Sequence, residues 1–266
     1  GVAFDNLKVK NDNGATITLQ GIKSTGIFGK AGSTVTNAGT IDAVAPTTQP
    51  ANSTEGLVGI ALNASTGTNT STGKIELETT HSTGMFGEAS STLTNAGSIT
   101  GDKQKAVGMA AKGSTATNNA TITLNGANSK GMFGEADGTT KSNVTNNGTI
   151  NFGTGLGNVG IYSISGGTAV NNAPITIGDS DPGNSKFGIG MAAGYETSDT
   201  GNLVNNSVIN VNGKSSIGMY ATGATSTIHN TSGGVINLSG NGSMGMYLDN
   251  GAKGINDGII QTVGSP

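Results

Sequence analysis

The sequence predicts an all-β fold, a right-handed parallel β-helix (solenoid) of about nine coils of 23–33 residues. Three observations carry this prediction. One sixteen-residue sentence is written twice, its core recurs nine times at uneven intervals, and each interval holds three short apolar pieces in a background rich in Gly, Ser, Thr and Asn.

Residues 24–39 read STGIFGKAGSTVTNAG and residues 82–97 read STGMFGEASSTLTNAG, identical at 12 of 16 positions. A catalytic motif is usually needed once, whereas a recurring sentence marks a structural period. Alignment on Gly followed by Ile or Met finds copies at Gly26, Gly59, Gly84, Gly108, Gly131, Gly160, Gly190, Gly218 and Gly245. A fixed motif at variable spacing means constant regular elements joined by loops of changing length.

The first piece of each period is this Gly-[Ile/Met] segment, often preceded by another apolar residue such as Val107, Val159, Ile189 or Ile217. The second is an apolar-x-Asn step, as in Val35-Thr36-Asn37, Leu93-Thr94-Asn95 and Val144-Thr145-Asn146. The third alternates strictly, as in Ile17-Thr18-Leu19, Ile75-Glu76-Leu77, Ile122-Thr123-Leu124 and Ile209-Asn210-Val211. Period-two alternation reads as a half-buried strand. Frequent glycine rules out helix in these stretches. Three short strands cannot bury their inward residues alone, but stacked copies share one continuous core. The long, uneven period favours a right-handed solenoid over the more regular left-handed hexapeptide kind.

The columns of the repeat are the candidate chemistry. After the motif Gly stand Ile27, Ile60, Met85, Met109, Met132, Ile161, Met191, Met219 and Met246. Free exchange of Met with Ile reads as core packing rather than a metal or redox array. The next column is Phe28, Ala61, Phe86, Ala110, Phe133, Tyr162, Ala192, Tyr220 and Tyr247. If Met points inward, strict alternation sends these rings outward as a ribbon suited to sugar faces or a partner protein. The alternative packs them at a corner or inside the core. The candidate ligand-binding residues are therefore Phe28, Phe86, Phe133, Tyr162, Tyr220 and Tyr247, with Tyr195 in a loop. The Asn column (Asn37, Asn95, Asn118, Asn146, Asn171, Asn205, Asn230, Asn256) reads as a turn ladder that uses αL geometry and shares amide hydrogen bonds along the axis. Candidate binding loops are the apparent insertions 43–56, 63–73, 178–187 and 194–202.

Composition bounds the rest. Charged residues are 11% and the net charge is −3, so there is no basic footprint for nucleic acid. With no Cys there is neither disulfide scaffold nor thiol chemistry. No apolar run is long enough to span a membrane as a helix, and no signal peptide opens the chain, so an excised piece of a longer protein is expected. Asp179 and Asp181 in GDSDPGN lack the closing Glu of an EF-hand and the calcium nonapeptide pattern. The 16 acids are scattered, Glu88 and Glu135 share a column with Lys30 and Lys112, and His81 and His229 have no obvious nucleophile. No catalytic residue, cofactor or metal site is expected, and the chain is expected not to be an enzyme.

Over nearly its whole length, in repeats such as GMFGEA…TNNGTI and IGMYATGATSTIHN…INLSG, the chain resembles passenger domains of bacterial monomeric (type V) autotransporters. Its likeness is to the large fusobacterial outer-membrane adhesins. The resemblance implies a β-helical rod exported through a C-terminal membrane β-barrel and displayed on the cell surface. It implies adhesion to host cells or coaggregation with other bacteria through a glycan or protein receptor. Residues 1–266 would then be a single passenger segment without signal peptide or barrel, monomeric and making no membrane contact itself. A pure stalk or spacer is the alternative reading, and a β-helical glycan-degrading enzyme a more distant one.

Overall fold

A computed structural model describes residues 3–21, 23–44 and 56–264. They form an all-parallel β-solenoid of three ten-stranded sheets, each taking every third strand of the chain. One rung is one strand from each sheet; the fourth, for example, is Thr83–Glu88, Thr92–Asn95 and Ser98–Gly101. The Gly-[Ile/Met] segments build sheet 1, the apolar-x-Asn steps sheet 2 and the alternating pairs sheet 3. The described residues make ten rungs, because Ala3–Asp5, Lys8–Asn11 and Thr16–Leu19 form a first rung without the glycine signature. At one strand spacing per rung, the ten extend over about 43 Å.

The core is continuous along the axis. Met85 registers on Ile60 and Met109, and Ile60, Met85, Met109, Met132, Ile161, Met191 and Met219 are all fully buried. Each such side chain contributes about 1.5–3 kcal/mol relative to exposure. The motif glycine is required by close approach. A Cβ on Gly84, Gly108 or Gly131 would stand 2.5–2.6 Å from the carbonyl oxygen of the motif glycine one rung on.

At the corner between sheets 1 and 2, large and small residues alternate. A Cβ on Gly87 would meet Leu93 Cδ1 at 2.4 Å, and one on Gly67 would meet Leu62 Cδ1 at 2.7 Å. In these two rungs one strand supplies the leucine and the other the hole that takes it. This explains a miss in the sequence reading: 63–73 is no insertion, because Thr66–Asn69 is a sheet-2 strand whose apolar position is taken by Gly67. Of the other apparent insertions, residues 45–55 of 43–56 lie outside the described residues. Segment 178–187 contains a 3-10 turn at Pro182–Asn184. In 194–202, the strand Gly201–Asn205 has already resumed by Gly201.

The asparagines form a ladder through all ten rungs, including Asn11 and Asn69, which the sequence column omitted. Each side-chain Nδ2 donates to the Oδ1 one rung on, from Asn11→Asn37 through Asn230→Asn256, at 2.8–2.9 Å. The expected αL geometry is corrected: none of the ladder residues has a positive φ. They end the sheet-2 strands and face inward, where a bonded amide avoids the cost of an unpaired buried polar group. A second, exposed ladder runs beside it with opposite polarity: Asn147→Asn119, Asn172→Asn147 and Asn206→Asn172, at 2.8–3.0 Å. Its sequence signal was the doublet Asn-Asn at 118–119, 146–147, 171–172 and 205–206.

Candidate functional site

The aromatic column lies on the outer face of sheet 1. Alternation within Thr83–Glu88 buries Met85 and Gly87 and leaves Phe86 half-buried between them. Phe28, Phe133, Tyr162 and Tyr220 are likewise half-buried, and Tyr247 is 43% exposed. The rings therefore face outward and are only partly covered.

Alanines divide the column. Ala61 and Ala110 isolate Phe28 and Phe86 as single rings, since Phe86 registers on Ala61 and Ala110. Phe133 and Tyr162 form a tilted pair with centroids 5.7 Å apart and planes at 52°. Tyr220 and Tyr247 stack at 5.7 Å and 10°. Between the two pairs sits Ala192, in register with Tyr162 on one side and Tyr220 on the other. That leaves a notch two strand spacings wide, about 9.6 Å.

Two loops wall this notch. Phe187, 41% exposed, ends the 178–187 segment, where Asp181 and Lys186 pair as a backbone bridge and Asn184 Nδ2 donates to Asp181 Oδ2 at 2.6 Å. Asp179 Oδ1 accepts the Lys214 N–H at 2.8 Å, so both aspartates of GDSDPGN serve turns. Tyr195, 70% exposed, overhangs from the other loop. The Asp199 carboxylate places it: Oδ2 accepts the Tyr195 N–H at 2.9 Å, and Oδ1 accepts those of Ser165 and Thr200 at 2.8 Å. Tyr162, Tyr195 and Lys130 line two adjoining clefts, each of about 360 Å³. A third cleft continues past Phe187, Tyr220 and Tyr247. The result is a groove along sheet 1 over rungs six to ten.

Electrostatics set this groove apart. Burial, reinforced by the Asp199 carboxylate and the neighbouring Tyr195 and Tyr220, pushes the Tyr162 phenol well above its usual pKa. The phenol stays a neutral hydrogen-bonding group. Burial, reinforced by Lys105, holds the Lys130 ammonium below the usual lysine range.

Of the sequence-predicted ligand residues, the fold gathers Phe133, Tyr162, Tyr195, Tyr220 and Tyr247 and leaves Phe28 and Phe86 apart. Sequence reasoning missed Phe187, Lys130 and Lys186. The signal for Lys130 was its place in a column otherwise made of Thr25, Val58, Thr83, Val107, Val159, Ile189, Ile217 and Met244. Elsewhere, register sets Asp42 beside Glu76 on sheet 3, and His229 Nε2 lies 2.9 Å from Asp257 Oδ2. His81 is on neither groove wall; burial, with Lys105, lowers its pKa.

Among solved structures, a crystal structure of a TibC-catalyzed hyper-glycosylated TibA fragment is similar at 16% identity over 97% of this chain and 99% of that one. Its TM-score is 0.19, too low for the likeness to carry an argument. No curated protein matches the sequence. The family model for the BigA third pectate lyase-like domain matches three times, at residues 2–104, 43–154 and 152–259. Each match takes in about four rungs, and the first two overlap, as interchangeable rungs allow. With the three matches together spanning residues 2–259, this chain belongs to the family of the BigA third pectate lyase-like domain.

Proposed function

We propose that the chain is a section of a bacterial cell-surface adhesin, a β-solenoid rod whose sheet-1 groove is the receptor-binding face. The observation that carries this reading is the aromatic notch: Tyr162 and Tyr220 flank Ala192 while Tyr195 and Phe187 overhang it. Half-exposed rings with apolar faces and polar tips suit stacking on sugar rings and burial by a protein receptor. Resemblance of the repeats to autotransporter passengers supports display on the cell surface, through a membrane anchor outside this segment. In this reading the segment acts as a monomer and binds rather than catalyses. It needs no cofactor and touches neither membrane nor nucleic acid.

The test is a cell-binding assay with the isolated chain. The double variant Tyr162→Ala/Tyr220→Ala and a deletion of 195–200 should both melt near the wild-type temperature and lose adhesion. Unchanged adhesion in both variants would rule out the groove. A wild-type chain that binds neither cells nor glycans is a spacer, the reading favoured by the uniformity of the early rungs.

A further inference from the structure

Lys130 is out of place in its column. Its register neighbours on sheet 1 are Val107 and Val159, and it shares two clefts with Tyr162 and Tyr195. A lysine on an aliphatic surface usually pairs with a carboxylate or carries its ammonium into open water. Among the described residues, neither Lys130 nor Lys186 on the facing wall has an acidic partner within ion-pair distance. The charged group acting most on Lys130 is Lys105, of the same sign, and half-burial already makes its charge costly. Asp199, whose charge reaches Tyr162, accepts the backbone N–H groups of Ser165, Tyr195 and Thr200 and makes no ion pair with Lys130.

A half-buried ammonium without a counter-charge, next to rings that present apolar faces, asks for one ligand with both complements. We propose that the groove selects an acidic sugar, whose ring stacks on the Phe133–Tyr162 pair or in the Ala192 notch while its anionic group meets Lys130. This rests on the groove being a glycan-binding face. A neutral sugar satisfies the rings and leaves Lys130 unpaired. An acidic peptide satisfies Lys130 but offers no rigid apolar ring face. The net charge of −3 disfavours long polyanions and leaves a single acidic residue in an otherwise neutral chain as the better fit. Carboxylated and sulfated sugars share this chemistry.

A glycan array carrying neutral, sialylated, uronate-containing and sulfated oligosaccharides, probed with the whole chain, tests the proposal. The tightest acidic oligosaccharide is then titrated against its neutral parent by calorimetry. The acidic form should bind about tenfold tighter or better, as a charge-assisted contact provides. Lys130→Gln should remove that preference and Lys130→Arg retain it, with thermal melts showing all variants folded. The sialylated, uronate and sulfated arms identify the source of the anion. Equal binding of neutral and acidic forms, or an acidic preference untouched by Lys130→Gln, overturns the proposal. If neutral glycans bind and Tyr162→Ala abolishes that binding, the groove survives as a glycan site while its acidic preference falls. If an acidic peptide such as poly-Glu binds through Lys130 and no glycan binds, both fall.

Discussion

The Leu93 side chain fills the space a side chain on Gly87 would need: a Cβ there would stand 2.4 Å from Leu93 Cδ1. The same exchange recurs, reversed, between Leu62 and Gly67. In these two adjacent rungs the corner of sheets 1 and 2 pairs one leucine with one glycine, supplied by opposite strands.

Gly87→Ala should accordingly overpack the corner and cost about 1–3 kcal/mol, read by chemical denaturation. Adding Leu93→Val should recover part of that loss, since it returns the space the new methyl takes. A double variant no better than Gly87→Ala alone would show that backbone strain, not volume, governs the corner.

Asn118 donates to Asn146 Oδ1 and to Ala120 O, each at 2.8 Å, and accepts from Asn95. Asn118→Ala strands a buried donor above and a buried acceptor below, each costing about 1–3 kcal/mol. A large fall in melting temperature is expected, whereas Asn119→Ala, on the exposed ladder, should shift it little. Similar shifts for the two variants would mean that the inner ladder is not the more important one.

Asp199 orders the loop that carries Tyr195 by accepting three backbone N–H groups. Asp199→Ala should leave the solenoid folded, speed amide hydrogen exchange over 195–200 and weaken ligand binding several-fold. Unchanged exchange in that segment would refute the positioning role.

Lys130 gives a pH signature. Its folded-state pKa lies below its unfolded value, so the unfolded chain binds more protons between the two and stability rises with pH through that window. Lys130→Met should thus raise the melting temperature at neutral pH and flatten the alkaline gain. Binding moves the opposite way: it needs the ammonium, so it fades as pH rises through the lowered pKa, earlier than for an open surface lysine. A destabilised Lys130→Met protein would contradict this account.

The three strand types were legible because each carries its own residue pattern, and stacking forces those patterns to recur in columns. The strand at Thr66–Asn69 escaped because its inward residue is a glycine, recognisable only beside Leu62. Of the first rung only Ile17-Thr18-Leu19 was legible, because its sheet-1 strand, Ala3–Asp5, has no Gly-Ile or Gly-Met pair to mark a period. Alternation allowed an outward aim for the aromatic column but left a corner or core position open, and it did not tell which rings gather. That depends on register across rungs, and on two loops bent over the groove by Asp181, Lys186 and Asp199. Phe187 and Lys186 come from such a bend and have no periodic signal to betray them.

The inner amide ladder has one further consequence. Every rung hands its successor the same donor in the same place, and receives the same one from its predecessor. A whole rung can therefore be duplicated or lost with both neighbours still meeting a matching partner. The reach of the rod becomes a quantity that evolution can adjust in single steps of about 4.8 Å. Such steps shift the groove along the axis relative to either end of the rod, without redesigning it.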